Sequence, residues 1–274
     1  MASYRAFDIE TVPDYTVWTP PPRKWGLVPH PESSGYPLHP GMGQTWPAYV
    51  TSEPEAFPPP QAQRVVAISW VDLSGDDDAW YFHENSESYC LWDHRDPDAL
   101  EAVLLVKFLA AQNDDRANIV TWNGRQFDLP VINLRALKHK LQMEWYYAER
   151  DVRYRYSELG HIDLMDWFSD YGAAKNMKLG DVARLIGLPG KTGEVSGDNV
   201  AGFYARGDSR EDMDAVANYC LSDSLQTALL FIRSRYHKGM ISAQHHNRAI
   251  DSFTLSTKFA KCMPHDFSFE SLKV

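Results

Sequence analysis

Apolar and polar positions change period several times along the chain, and each change marks an element. Tyr4-Arg5-Ala6-Phe7-Asp8-Ile9-Glu10 reads like a strand at the very start. From residue 13 to 63 the pattern dissolves. That segment holds 13 of the 17 prolines, including Pro20-Pro21-Pro22 and Pro58-Pro59-Pro60, with Trp18, Trp25 and Trp46 scattered among them. Proline removes backbone donors and locks φ, which predicts neither regular helix nor central strand there. Loops this long tend to be functional or disordered. The expectation is an insertion after the first strand that makes an extended surface excursion pinned by its tryptophans; the alternative is a flap that clamps a ligand.

An ordinary α/β texture follows. The continuous run Val65-Val66-Ala67-Ile68-Ser69-Trp70-Val71 predicts a strand, Ser74 to Asp78 a turn, and Ala79-Trp80-Tyr81-Phe82 a second strand. Asp96 or Asp98 is placed to cap a helix reaching about Gln112, on the spacing Leu100, Val103, Leu104, Phe108. Asn118 to Trp122 is a short strand closed by Asn123-Gly124, and a helix from about Asp128 to Leu141 comes next. Beyond a polar, basic stretch lie Ile162-Asp163-Leu164, a helical pattern from Leu179 to Ile186, and the strongest helix, from about Arg210 to Tyr236. Two adjacent strands followed by strands alternating with helices predict a mixed sheet flanked by helices. Residues 237–274 are expected to form a C-terminal helical extension of a single domain spanning 1–274.

Composition narrows the partners less than it first suggests. With 274 residues, 44% of them apolar and 13% aromatic, the chain can build one generous core and bury roughly three-quarters of its unfolded surface. Its 27 basic and 37 acidic side chains leave a net charge of −10, which argues against phosphate binding through Lys and Arg alone. Metal cations at a carboxylate cluster would remove that objection, because the ion becomes the largest local charge. No run of 18 apolar residues exists; the best, Ala102 to Ala111, is broken by Lys107, so no membrane partner is expected. Three cysteines, Cys90, Cys220 and Cys262, without a CxxC pair, point to a reducing compartment rather than a disulfide scaffold or structural zinc site. No charged-then-apolar leader precedes the first strand, so a cytoplasmic location is expected.

Three short signals carry chemistry. Asp8 and Glu10, two apart at the end of a strand, emerge on one face. Alone, the pair is most simply two solvated acids. Asp128 follows Asn123-Gly124-Arg125-Gln126-Phe127 at a strand-to-helix junction, where an acid also complements the helix dipole. Phe127 sets an aromatic ring beside it that could stack on a base. Tyr219 and Asp223, four apart, share one face of the long helix, next to an apolar stripe of Ala217, Leu221, Leu225, Ala228, Leu229 and Ile232. Together they offer four oxygen-donor side chains with no obligatory histidine or cysteine. Such a set suits hard octahedral Mg²⁺ or Mn²⁺, and two such ions about 4 Å apart support phosphodiester hydrolysis.

Phe7-Asp8-Ile9-Glu10-Thr11, Asn123-Gly124-Arg125-Gln126-Phe127-Asp128-Leu129-Pro130 and Tyr219-Cys220-Leu221-Ser222-Asp223 resemble, in order, the three exonuclease motifs of the DEDD superfamily. They are most similar to the DEDDy branch, typified by the proofreading domain of family B DNA polymerases. The histidine branch places His five residues before the last Asp, and that position here is Asn218. The resemblance implies a ribonuclease H-like fold with a mixed five-stranded sheet, and 3′→5′ removal of nucleotides from DNA ends, single-stranded ones above all. The chain leaves no room for palm, fingers and thumb, so a stand-alone exonuclease is expected. By similarity, Asp8 would bridge two divalent cations, Mg²⁺ or Mn²⁺, while Glu10 and Asp223 would hold the ion carrying the nucleophilic water. Asp128 would support the other ion, and Tyr219 would orient the water. Thr11, Asn123 and Phe127 match the motif flanks that meet the terminal nucleotides. The resemblance also points to replication or repair proteins as partners. Rival readings are a 3′ exoribonuclease of the ribonuclease D type, acting on RNA, and a silent nucleic-acid-binding module.

Other signals carry less. Gly190-Lys191-Thr192 lacks the earlier glycine of a phosphate-binding loop, since Leu185 stands there; the run Gly187 to Gly197 is read as bordering the substrate groove, with Lys191 near a phosphate, and an inert loop is the alternative. Asp163 and Asp166 are read as a strand end and a helix start, and His245, His246 and His265 as surface histidines. Arg135, Lys138, Lys140, Arg150, Arg153 and Arg155 form the one basic stretch, read as a solvated face with a strand-binding rim as the alternative.

Overall fold

The computed structural model describes residues 2–19, 26–27, 49–50, 57–75, 80–90, 96–191, 194–206, 210–254, 256, 259 and 262–274. β1 (Ala2–Pro13) outlasts the motif that predicts it, because its antiparallel partner carries the ladder on to Pro13↔Gln63. In the proline-rich segment the described residues hold only the two-residue pair β2 (Gly26–Leu27) and β3 (Tyr49–Val50) and a 3-10 turn, Pro60–Ala62. Trp25 and Trp46 lie outside the described residues; Trp18 is half-buried and stacks on Tyr15 at 6.3 Å. Next comes the hairpin of β4 (Gln63–Gly75) and β5 (Trp80–Cys90), the latter longer than its apolar start because β4 offers it a full edge. In α1 (Pro97–Asp115), the Asp96 carboxylate accepts from the Ala99 N–H at 3.0 Å, and Arg116 ends the helix at φ 46°.

β6 (Asn118–Thr121) leads to α2 (Asp128–Lys138), which stops three residues short of its apolar pattern as Lys140 turns left-handed. The polar, basic stretch contains two short helices that its sequence does not announce, α3 (Glu144–Ala148) and α4 (Arg150–Arg153). β7 (His161–Asp163), α5 (Leu164–Phe168), α6 (Leu179–Leu185), α7 (Val200–Arg206), α8 (Arg210–His237) and α9 (Ala243–Phe253) complete the described elements, with a 3-10 turn at Phe269–Leu272. None of the described helices is long and apolar enough to cross a membrane.

The sheet order is β5-β4-β1-β6-β7, antiparallel among the first three strands and parallel from β1 onward. Alternation along β1 divides the core. Phe7 and Ile9 face α1 and α2, with Phe7 4.8 Å from Phe108 between ring centres. Tyr4 and Ala6 face α8, with Tyr4 4.9 Å from Phe231. The expected stripe on α8 is one side of a helix buried all round from Tyr219 to Ile232. Ile250, Phe253, Phe259 and Leu272 of the C-terminal segment join the same core and cover its outer side. His246, expected at the surface, is fully buried there and accepts from Arg233 Nε at 3.1 Å, whereas His265 is exposed.

Arg135 also departs from its sequence reading. It is 1% exposed rather than part of a solvated face. Its Nε donates to Glu101 at 2.7 Å and its Nη2 to Asp14 at 2.8 Å, while Lys138 reaches Asp98 at 2.6 Å. Glu101 in turn accepts from Val65 N, and Asp14 N donates to Ala62 O at 2.7 Å. This buried network joins the residue after β1 to the residue before β4. The insertion therefore leaves and re-enters the body at one closed neck. Burial would raise the Asp14 carboxyl, yet hydrogen bonds from Thr16 and Arg135 hold it well below the usual carboxylate range.

Candidate active site

Parity along β1 puts Asp8 and Glu10 on the face of Tyr4 and Ala6, toward α8. Pairing with β6 ends at Ala6↔Val120, and a bulge follows between Glu10 and Thr11. The last part of β1 thus has one open edge. The Ile9 N–H on that edge is satisfied by the Asp128 carboxylate, at 3.2 Å. Asp128 begins α2 and is 3% exposed.

The turn that delivers Asp128 is built by residues far apart in sequence. Asn123 adopts φ 66°, and a Cβ on Gly124 would lie 2.5 Å from the Thr121 side chain, so only glycine fits against it. Asp163, at the end of β7, accepts from Asn123 N at 2.9 Å and Arg125 N at 3.0 Å. The same carboxylate caps α5 through Met165 N at 3.1 Å. Its strand-end position was legible in sequence; its part in holding the turn was not, because the partners lie about forty positions away.

On the other side, α8 is pinned to the sheet beneath Asp8. The Cys220 thiol donates to Asp8 O at 3.3 Å, and Ser69, opposite Asp8 on β4, shares a 2.7 Å hydrogen bond with Ser224. One turn's spacing then sets Tyr219 and Asp223 together, and the phenol hydrogen-bonds the carboxylate. Lys191 Nζ donates to the Tyr219 hydroxyl at 2.6 Å and sits 5.2 Å from the ring centre. Gly190, at φ 69° and with no room for a Cβ beside Gly180 O, aims the loop so that Lys191 reaches the helix.

Electrostatics show that the acids feel one another's charge, although of the four only Asp8 and Glu10 fall in one group of ligand atoms within 4.8 Å. Burial and then the charges of Asp128, Glu10 and Asp223 push the Asp8 carboxyl far up. Glu10 is raised likewise by burial and Asp223. Burial also lifts Asp128 to about 7 and Asp223 to about 6, the latter against the pull of Lys191. Three buried acids and half-buried Asp8 face only the Lys191 ammonium among the described residues, an unfavourable arrangement that divalent cations would relieve. Ligand atoms of Asp8, Glu10 and Cys220 lie within 4.8 Å of one another, a possible acidic metal site. Burial and the Asp8 and Glu10 charges push the Cys220 thiol up, and its hydrogen is given to Asp8 O, whereas the carboxylate oxygens are the hard donors of this set. The same burial and acids hold the Tyr219 phenol far above its ordinary range, which makes it a hydrogen-bond donor rather than a base.

Beside Tyr219 and Asp223 opens a cavity of about 460 Å³, walled by the Lys191 and Val195 loop, Phe203 of α7, Asn218 and the C-terminal Met263. Phe127 lies at the opposite flank, its ring centre 5.9 Å from that of Phe57. Phe57 is 75% exposed and comes from the end of the proline-rich segment, a contact nothing in the sequence announces. Asn123 Oδ1 is shielded from solvent without a hydrogen-bond partner among the described residues. Thr11 turns elsewhere: past the bulge its hydroxyl donates to Gln63 at 2.7 Å, into the neck of the insertion. Thr192 lies outside the described residues.

The family B DNA polymerase from the hyperthermophilic archaeon Pyrobaculum calidifontis aligns with 83% of this chain at a TM-score of 0.52 and 16% identity, a likeness of fold. This chain spans 24% of that polymerase. No curated protein matches. Residues 55–269 match a family described as predicted 3′-5′ exonucleases related to the exonuclease domain of PolB. That match begins beyond β1, so Asp8 and Glu10 join the other acids through sheet pairing rather than through the matched segment. By a match covering most of its length, the chain belongs to this family of predicted PolB-related 3′-5′ exonucleases.

Proposed function

We propose that the protein is a metal-dependent 3′-5′ exonuclease of the DEDDy type, on a ribonuclease H-like fold, acting on single-stranded DNA ends. One observation carries this reading: Asp8, Glu10, Asp128 and Asp223, drawn from three distant parts of the chain, lie near enough in one largely buried cleft beside Tyr219 to raise one another's carboxyls. The all-oxygen donor set suits Mg²⁺ or Mn²⁺: Glu10 and Asp223 would hold one such ion, Asp128 would support a second, and Asp8 would serve both. When bound, such ions lower the pKa of a water and stabilise the departing oxygen.

The chain's own residues do the rest. Tyr219, its oxygen held by Lys191, orients the attacking water through its hydroxyl. Lys191 brings an ammonium to the scissile phosphate from the cavity side. Phe127, backed by Phe57, stacks on a terminal base, and Asn123 Oδ1 accepts from the same nucleotide. Thr11 borders the end of the strand through its backbone, its hydroxyl being engaged by Gln63. The DNA preference follows from kinship with a polymerase proofreading domain. The test uses 5′-labelled DNA and RNA oligonucleotides with Mg²⁺ or Mn²⁺, comparing wild type with Asp8→Ala. A DNA ladder lost in the variant is expected. A ladder on RNA alone would favour the exoribonuclease reading, and none on either would leave only a binding module.

A further inference from the structure

Three tyrosines and two arginines around α4 form an exposed surface that the proposed chemistry does not use. Tyr147, Tyr154 and Tyr156 are 54%, 47% and 56% exposed. Tyr154 and Tyr156 meet edge to face at 5.9 Å, and Tyr156 rests on Tyr171 at 4.7 Å. The Arg150 guanidinium lies 5.5 Å from the Tyr154 ring centre and that of Arg153 5.4 Å from Tyr147. Stacked arginines of this kind are held in place yet keep their donors open.

Charge makes the surface stand out in a protein of net charge −10. Most nearby acids are engaged by other cations: Glu144 and Glu149 by Arg116, Glu158 by Lys238, and Asp166 by Arg155. Asp151 accepts from Ser157. Among the described residues, Arg150 and Arg153 have no carboxylate partner. The surface is also fastened to the cleft. Arg125 donates to the backbone oxygens of Val152 at 3.3 Å, Tyr154 at 3.2 Å and His161 at 2.8 Å. Arg125 precedes Asp128 by three residues, at most ~11 Å of chain. The turn that positions Asp128 and Phe127 therefore positions this surface too.

We infer that this tyrosine–arginine surface is a second binding site for single-stranded nucleic acid, gripping the strand a few nucleotides upstream of the end in the carboxylate cleft. Bases stack on Tyr154 and Tyr156, while Arg150 and Arg153 take phosphates. The inference rests on the exonuclease reading for which end of the strand lies where; the grip itself needs no hydrolysis.

The test measures fluorescence anisotropy of 5′-labelled thymidylate dodecamer and trimer on the full chain in EDTA, with a uridylate dodecamer alongside. Wild type is compared with Tyr154→Ala/Tyr156→Ala and Arg150→Gln/Arg153→Gln. Both variants keep the backbone carbonyls that Arg125 uses, and unchanged melting confirms that they fold. The tyrosine pair should weaken dodecamer binding by about tenfold or more. The arginine pair should flatten the slope of log K against log salt by about 1.4. Trimer binding, and trimer hydrolysis once Mn²⁺ is added, should not change. Dodecamer binding unaffected in both variants, a trimer held as tightly as the dodecamer, or no binding by wild type would each overturn the inference. Patch-dependent binding without hydrolysis would instead sink the exonuclease reading, and hydrolysis with patch-independent binding would do the reverse.

Discussion

Replacing Asp128 with Asn isolates the electrostatic load that the cleft carries without metal. The amide keeps an oxygen for the Ile9 N–H, which the carboxylate accepts at 3.2 Å, so the local geometry has no reason to change. What changes is the charge. Asp128 titrates at about 7 in the fold against 3.8 in the unfolded chain, so the folded state holds an extra proton between those values. Stability is therefore lost as pH rises through that window, and above it ionised Asp128 costs about 4 kcal/mol. At pH 5 the same linkage costs about 2 kcal/mol, and near pH 3 almost nothing.

In EDTA, the advantage of the variant should thus grow from almost nothing near pH 3, through about 5 °C at pH 5, to roughly 10 °C in Tm at pH 8. Adding Mn²⁺ should narrow that advantage. A metal at a hundred times its Kd returns about 2.7 kcal/mol to the wild type, and a site short of one carboxylate recovers less. Differential scanning fluorimetry across pH, with and without metal, reads both effects. An Asp128→Asn protein no more stable than wild type at pH 8 in EDTA, or a gain that ignores pH, would refute the reasoning.

Three further outcomes are expected. Tyr219→Phe should lower kcat by about a hundredfold while leaving the shape of the pH–rate profile intact, since the phenol donates and never titrates; a vanished alkaline limb would instead mark it as a base. Arg135→Ala leaves Asp14 and Glu101 buried without their guanidinium and should lose about 3–5 kcal/mol in urea unfolding; a loss below ~1 kcal/mol would mean the neck does not depend on this network. Gly124→Ala places a Cβ 2.5 Å from Thr121, so it should cost about 1–3 kcal/mol and cut turnover by moving Asp128. Wild-type stability and turnover in that variant would show that the turn relaxes without disturbing the site.

The acidic network at the neck explains how an excursion of about fifty residues can leave the sheet without unravelling its end. Asp14 and Ala62 meet through a backbone hydrogen bond, and Arg135 bridges Asp14 to Glu101 on α1. Because the Asp14 carboxyl is held below its unfolded value, this clamp is strongest above about pH 4 and weakens as acid protonates it. The same neck brings Phe57 back against Phe127, so the excursion ends at the cleft.

By itself the sequence determined the local alphabet of this protein. Period-2 and period-3.6 spacing decided where β1, β4, β6, α1, α2, α6 and α8 form, and proline predicted no long element between β1 and β4, where the described residues hold none. The same local reasoning showed that Asp8 and Glu10 share a face and that Tyr219 and Asp223 share another, because strand and helix geometry fixes neighbours two and four apart. It also found Asp128 at its junction. Only the tertiary structure decided which charges meet. Arg135 and Lys138 read as a solvated face together with Arg150 and Arg153, yet the first is sealed between two acids while the last two remain open, since counter-charges such as Asp14 and Glu101 come from other elements. Asp163 as a pillar of the Asn123 turn, Lys191 on Tyr219 and Phe57 on Phe127 are contacts across tens of residues, invisible to any local period. Burial, and with it every raised carboxyl in the cleft, belongs to the assembled sheet and helices rather than to any one segment of the chain.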